Sequence, residues 1–100
     1  MAATLRVANE KGTYCLTDRG TWLAHKKELT NLSVAVEKDP ILLNYYSVIA
    51  VSPDKHPNVN AGAAKKFIKF LTGSQGQRII RDFGKDKYGE PLFIPNASRK

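Results

Sequence analysis

The run Tyr46-Ser47-Val48-Ile49-Ala50-Val51 constrains the fold of this chain more than any other feature. Both alternating sets, Tyr46/Val48/Ala50 and Ser47/Ile49/Val51, are largely apolar. A strand of that kind needs cover on both faces, as inside a sheet with helices above and below. Ser52-Pro53-Asp54 bounds the run. A second strand is read at Leu32-Ser33-Val34-Ala35-Val36-Glu37, ended by Lys38-Asp39-Pro40. Two strands are too few for a sheet of this type, so the pattern is α/β with an incomplete sheet. A second copy of the chain is one way to complete it, because exposed strand edges pair with other chains.

The rest of the sequence supplies helices. Residues 2–11 carry a weak apolar face of Leu5, Ala8 and Val7, and Gly12 follows where left-handed dihedrals are wanted. A second helix is expected from Thr17, its N-cap, to about Glu28, with Trp22 and Leu23 as buried contacts. Asp18 complements the start of that helix, and Lys26 and Lys27 its end. Gly20 in the first turn is costly against Ala, by about 1 kcal/mol. Close approach by another backbone or a ligand would explain it, as would simple tolerance near a helix end. Asn60 caps a third helix over residues 61–72, whose Ala64, Phe67, Ile68 and Leu71 form one stripe. Ser74 with Gln77 has capping-box spacing for a fourth helix. Ile79, Ile80 and Phe83 are its expected buried face, and Gly84 its stop. The tail, residues 88–95, has two prolines and reads as extended, packing through Leu92, Phe93 and Ile94.

With 100 residues the chain is one domain at most, and its core is modest. Sixteen Lys and Arg against nine Asp and Glu leave a net charge of +7, a pointer to an anionic partner. Apolar residues at 42% and charged residues at 25% exclude a chain too polar to fold. No apolar run approaches the length of a membrane span, and the opening residues do not read as a secretory leader. A lone cysteine, Cys15, forms no internal disulfide and reads as a buried small apolar residue. His25 and His56 are too few for a zinc or catalytic cluster, and both read as surface residues.

Three chemistries remain. Nothing resembles a catalytic triad, a phosphate loop or a zinc-protease helix. Asp82 and Asp86 are separated by Gly84 and read as solvated, so no enzyme is expected. Lys65, Lys66, Lys69, Arg78 and Arg81 crowd two neighbouring helices and could track phosphates, although the usual role of such residues is a solvated helix face. Finally, Tyr14-Cys15-Leu16-Thr17-Asp18-Arg19-Gly20-Thr21 gathers hydroxyls, an Arg and free N–H groups around one helix start. That arrangement suits an oxyanion, but the Asp18 carboxylate would compete, and a plain N-cap accounts for the same residues.

The residues also carry a resemblance. Asn9-Glu10-Lys11-Gly12-Thr13-Tyr14 and Leu16-Thr17-Asp18-Arg19-Gly20-Thr21 resemble a segment of the substrate-binding proteins of tungstate ABC transporters. The resemblance continues through Asn44-Tyr45-Tyr46-Ser47-Val48-Ile49-Ala50-Val51 and the Pro53 to Pro57 turn. It is strongest at Phe67-Ile68-Lys69-Phe70-Leu71-Thr72 and Gln75-Gly76-Gln77-Arg78-Ile79-Ile80, and ends with Phe83-Gly84-Lys85-Asp86-Lys87-Tyr88-Gly89-Glu90-Pro91-Leu92-Phe93. Cys15 and Trp22 stand where the family pattern has Thr and Tyr.

The resemblance implies a two-lobed periplasmic binding protein of type II, with an oxyanion such as tungstate or molybdate bound between α/β lobes. It covers only the C-terminal part of such a protein. Residues 1–45 would finish one lobe and supply the return segment, and residues 46–100 would form the C-terminal part of the other. The family's early Thr/Ser-rich stretch and its middle Ser, Arg, Gly and Thr segment have no counterpart here. Met1 stands just before the resemblance begins, which reads as an expressed piece or a truncated gene product. The implied ligand residues are Thr17 and Arg19, with Tyr14 nearby and Asp18 capping or orienting. No metal or cofactor is implied beyond the carried oxyanion. The implied partners are that ligand, the transporter permease and a second copy of the chain, in a periplasmic or extracellular setting. The alternative, from charge alone, is a small basic module that binds nucleic acid or another acidic partner.

Overall fold

A computed structural model of the chain describes residues 1–97. Helix α1 spans Ala2–Lys11, α2 Arg19–His25, α3 Ala61–Thr72, α4 Ser74–Asp82 and α5 Lys85–Tyr88, with a 3-10 turn at Pro40–Leu42.

The buried apolar core among the described residues is Leu5 and Ala8 of α1, Leu23 of α2 and Leu29 just beyond it. The α1 helix ends as its sequence dictates. Gly12 takes a left-handed φ of 64°, and its N–H and that of Thr13 both close onto the Ala8 carbonyl. The turn after α2 is then pinned to α1 by a reciprocal amide pair. Asn31 N–H donates to Asn9 Oδ1 at 2.9 Å, and Asn31 Nδ2 donates to the Asn9 carbonyl at 3.2 Å. Those two bonds hold Leu29 against the helix pair.

The second helical unit is α3 with α4. Asn60 caps α3 as expected, its Oδ1 accepting from Ala63 N–H at 3.0 Å. The two helices meet so closely at Gly76 that it is buried. The α3 stripe is only partly covered: Ala64, Ile68 and Leu71 are half-buried and Phe67 is exposed. Phe93 of the tail joins the two units. Its ring lies edge-on to Tyr46, with centroids 6.1 Å apart, and tilted against Phe83 at 6.4 Å. A Cβ placed on Gly20 would sit 3.9 Å from both Leu92 Cβ and Phe93 Cζ. These are ordinary van der Waals distances to side chains, and Asp18 Oδ2 is nearer still at 3.6 Å, so no backbone crowds Gly20 and an Ala would fit. Of the two readings, simple tolerance is the one the contacts suit, with the tail passing over α2 at this point.

Several expectations are corrected. Among the described residues there is no strand. Residues 32–37 and 46–51 run without a ladder, and Tyr46 and Ile49 are 72% and 82% exposed. Both segments have the pattern of covered strands, but pairing needs neighbours that these residues do not provide. A lone extended segment has no backbone partner to hold it. The second helix is shorter than expected, giving way to turns after His25. Its N-cap is Asp18 rather than Thr17, whose hydroxyl donates to the Asp18 carbonyl at 3.2 Å. Ser74 forms no capping box: it is already helical, with Gly73 at the cap position. Gln77 turns away, Nε2 donating to the Leu71 carbonyl at 2.7 Å and Oε1 accepting from Ala97 N–H. Ile79 and Phe83 are exposed, because the surface expected to receive them is missing with the sheet. Cys15 is exposed, on the unpaired stretch before α2. The short α5 helix was not expected at all.

The outcome is an extended molecule, 50 × 29 × 25 Å, with a Cα radius of gyration of 17.6 Å. A compact domain of this length has a radius near 13 Å. The apolar side chains are present, but the surfaces that would bury them are not.

Candidate functional site

The four candidate residues lie on one short stretch leading into α2. Tyr14 is 92% exposed and makes no side-chain hydrogen bond among the described residues. Thr17 is half-buried, with its hydroxyl proton committed to the Asp18 carbonyl. Asp18, at the cap position, makes no side-chain cap bond; its Oδ1 is buried and lacks a hydrogen-bond partner among the described residues. The structure thus brings Thr17, Asp18 and Arg19 to one place and leaves Tyr14 in solvent.

Arg19 is the centre of this region. Its Nη1 donates to Glu90 Oε1 at 2.8 Å, and its Nη2 donates to Glu37 Oε2 at 3.0 Å. The guanidinium therefore ties three segments distant in sequence: the start of α2, the 32–37 run and the tail. Neither carboxylate was expected as a partner of Arg19. Separations of 18 and 71 residues leave no periodic signal to find them by. The one available clue was that Glu37 and Glu90 both fall in segments read as extended, where a reaching Arg can meet them. Two of the five N–H donors of Arg19 are used in these pairs. The remaining donors, Nε–H and one on each terminal nitrogen, have no partner among the described residues.

The other titratable clusters are peripheral. His25 Nδ1 and Glu28 Oε1 are 2.9 Å apart, and Arg6 reaches the same carboxylate at 4.0 Å. The His25 hydrogen bond, helped by Arg6, holds the Glu28 carboxyl below the usual range. Asp82 accepts from Arg81 at 3.0 Å and from Lys85 at 3.1 Å, which lowers its pKa to about 2. Arg81 is thereby neutralised in part, so the basic face of α3 and α4 is weaker than the sequence implies. Two depressions lie along α4, α5 and the tail, away from the Tyr14 to Arg19 stretch. One, of about 330 Å³, is lined by Phe83, Tyr88 and Leu92 among others. The other, of about 520 Å³, is lined by residues including Ser74, Gln77, Arg78 and Arg81. Among the described residues there is no group of three or more His, Cys, Asp or Glu placed to hold a metal ion. No helix among them is long and apolar enough to cross a membrane.

The PBP superfamily domain matches residues 1–75, and the chain belongs to that superfamily. The chain is 46% identical, over 99% of its length, to the tungstate-binding protein TupA of Peptoclostridium acidaminophilum. It is 40% identical, over its full length, to the protein of the same name from Campylobacter jejuni. It covers 34% and 38% of those two proteins, so it spans about a third of the length of the curated relatives it matches. No solved structure matches the chain.

Proposed function

We propose that this chain is part of an oxyanion-binding protein serving ABC-type uptake, with tungstate or molybdate as the carried ligand. The observation that carries this reading is the similarity, nearly end to end, to two proteins named for binding tungstate. The reading is of a binder and not of an enzyme. Binding alone needs donors for the ligand's oxygens, and Arg19 and Thr17 are the donors we assign, Thr17 once its hydroxyl turns from the Asp18 carbonyl that it now meets. Tyr14 would close over the ligand from its exposed position, and Asp18 would orient the loop. In this reading residues 1–45 belong to one lobe and residues 46–100 to the other, in a type II periplasmic binding fold. The partners would be the oxyanion and a membrane permease, in a periplasmic or extracellular setting.

The test is a calorimetric titration of the chain with tungstate, with molybdate and sulfate as comparisons. Selective heat with tungstate is the expected result, weak because Thr17 and Arg19 make only part of a shell. Equal response to all three anions, or none to any at millimolar ligand, would overturn the assignment of ligand contacts to this chain.

The uncovered runs at 32–37 and 46–51 lead to a second expected result. Exposed, strand-patterned segments seek backbone partners. A second copy of this chain is the partner we assign when nothing else is present. Light scattering should show a dimer growing in with concentration, accompanied by a gain in β signal by circular dichroism. A monomer at every concentration would count against it.

A further inference from the structure

The oxyanion reading assigns Arg19 to the ligand, yet the structure shows Arg19 already engaged. Glu37 and Glu90 meet its two terminal nitrogens at 3.0 and 2.8 Å. Two carboxylates against one guanidinium leave this cluster with a net negative charge. A tetrahedral dianion approaching the same nitrogens meets like charge, and like charges close to a shared site disfavour each other. The ion pairs are partly solvated, with side-chain exposures of 36% for Arg19, 45% for Glu37 and 43% for Glu90, so they can be exchanged.

We propose that Glu37 and Glu90 are internal competitors for Arg19: they hold the guanidinium in the ligand-free protein and give it up when an oxyanion binds. They act through Arg19 and are positioning residues. The proposal rests on the oxyanion reading and adds a consequence to it. Glu90 stands two residues before Leu92, which packs over Gly20 together with Phe93. Release of Glu90 therefore loosens the tail from α2, and ligand binding is read out as a change at the α2–tail contact. Trp22, the single tryptophan, is half-buried one turn along α2 from Arg19, and its emission is the probe for a change at α2.

The experiment titrates tungstate into the wild type, Glu37→Gln, Glu90→Gln and the double variant, following heat and Trp22 emission. Far-UV circular dichroism checks that the helices persist. Competition predicts tighter binding once the carboxylates are neutralised, at least tenfold for the double variant and smaller gains for each single variant. It also predicts that the tungstate-induced change in Trp22 emission seen in wild type shrinks in Glu90→Gln, whose tail is already released. A purely structural role predicts the opposite sign, because losing the tie would loosen Arg19 and weaken binding. Wild-type binding with equal or weaker binding in the variants overturns the proposal and leaves the oxyanion reading standing. Absence of binding in the wild type and in every variant overturns both. Should the double variant lose its helices, the single variants decide by the same criterion, since each keeps one of the two ties.

Discussion

Leu23→Ala is expected to melt the α1–α2 pair while leaving α3 and α4 helical. Leu23 is 4% exposed, and the rest of the buried apolar core is only Leu5, Ala8 and Leu29. Truncating a buried leucine costs about 2–5 kcal/mol through lost transfer energy and the cavity left behind. In a large core, neighbours relax into part of that cavity. Here the walls are two short helices and one turn, and collapse would break the Asn9–Asn31 amide pair that positions Leu29. The cost should therefore fall in the upper part of the range. The measurement is residue-resolved hydrogen exchange. Amides of residues 5–11 and 22–25 should lose protection together, while those of residues 64–72 keep theirs. Uniform loss across both helical units would show that the chain unfolds as one body, with the Phe93 contacts stronger than assigned.

The second large effect is at Gly76, where helix propensity and packing pull in opposite directions. Replacing a helical Gly by Ala ordinarily stabilises by about 1 kcal/mol. At position 76, however, the new Cβ would fall on the Phe70 carbonyl oxygen, and 2.9 Å from both Cα and O of Leu71. All three are backbone atoms, which cannot move aside as a side-chain tip would. Overpacking against immovable neighbours costs about 1–3 kcal/mol and sometimes more, so packing wins. With the clash on backbone atoms placing the cost in the upper half of that range, Gly76→Ala should lower the stability of the α3–α4 unit by about 1–2 kcal/mol net. Chemical denaturation followed by helix signal gives the value. A rise in stability would mean that α4 can shift along α3 freely, and that the close approach is not specified. Gln75→Ala, on the exposed neighbouring position, is the control and should change little.

The helices were legible because their signals are local. Asn60 caps α3, Gly12 closes α1 in the left-handed conformation, and the start of α3 falls where the cap placed it. The capping box at Ser74 was a false signal. Gly73 takes the cap position instead, and Gln77 satisfies the Leu71 carbonyl and the Ala97 N–H. Spacing shows that two side chains could meet, but not that each has a better partner elsewhere. For the candidate site, the sequence offered residues to propose. The residues around Thr17 and Arg19 could be named from their chemistry and from the family resemblance. Their carboxylate partners could not, because Glu37 and Glu90 reach Arg19 only through the folded path of the chain.

What the sequence determined by itself is the placing of α1, α3 and α4, the apolar character of the two strand-like runs and a family membership carried by motifs along nearly the whole chain. The tertiary structure decided whether those apolar runs are satisfied. They are not, because hydrogen-bonded pairing and two-sided burial are properties of neighbours, and the described residues supply none for residues 32–37 and 46–51. It also decided that Arg19 is held by two carboxylates rather than left open. A guanidinium with several donors takes whichever acceptors the fold brings within reach, and only the three-dimensional path sets which those are.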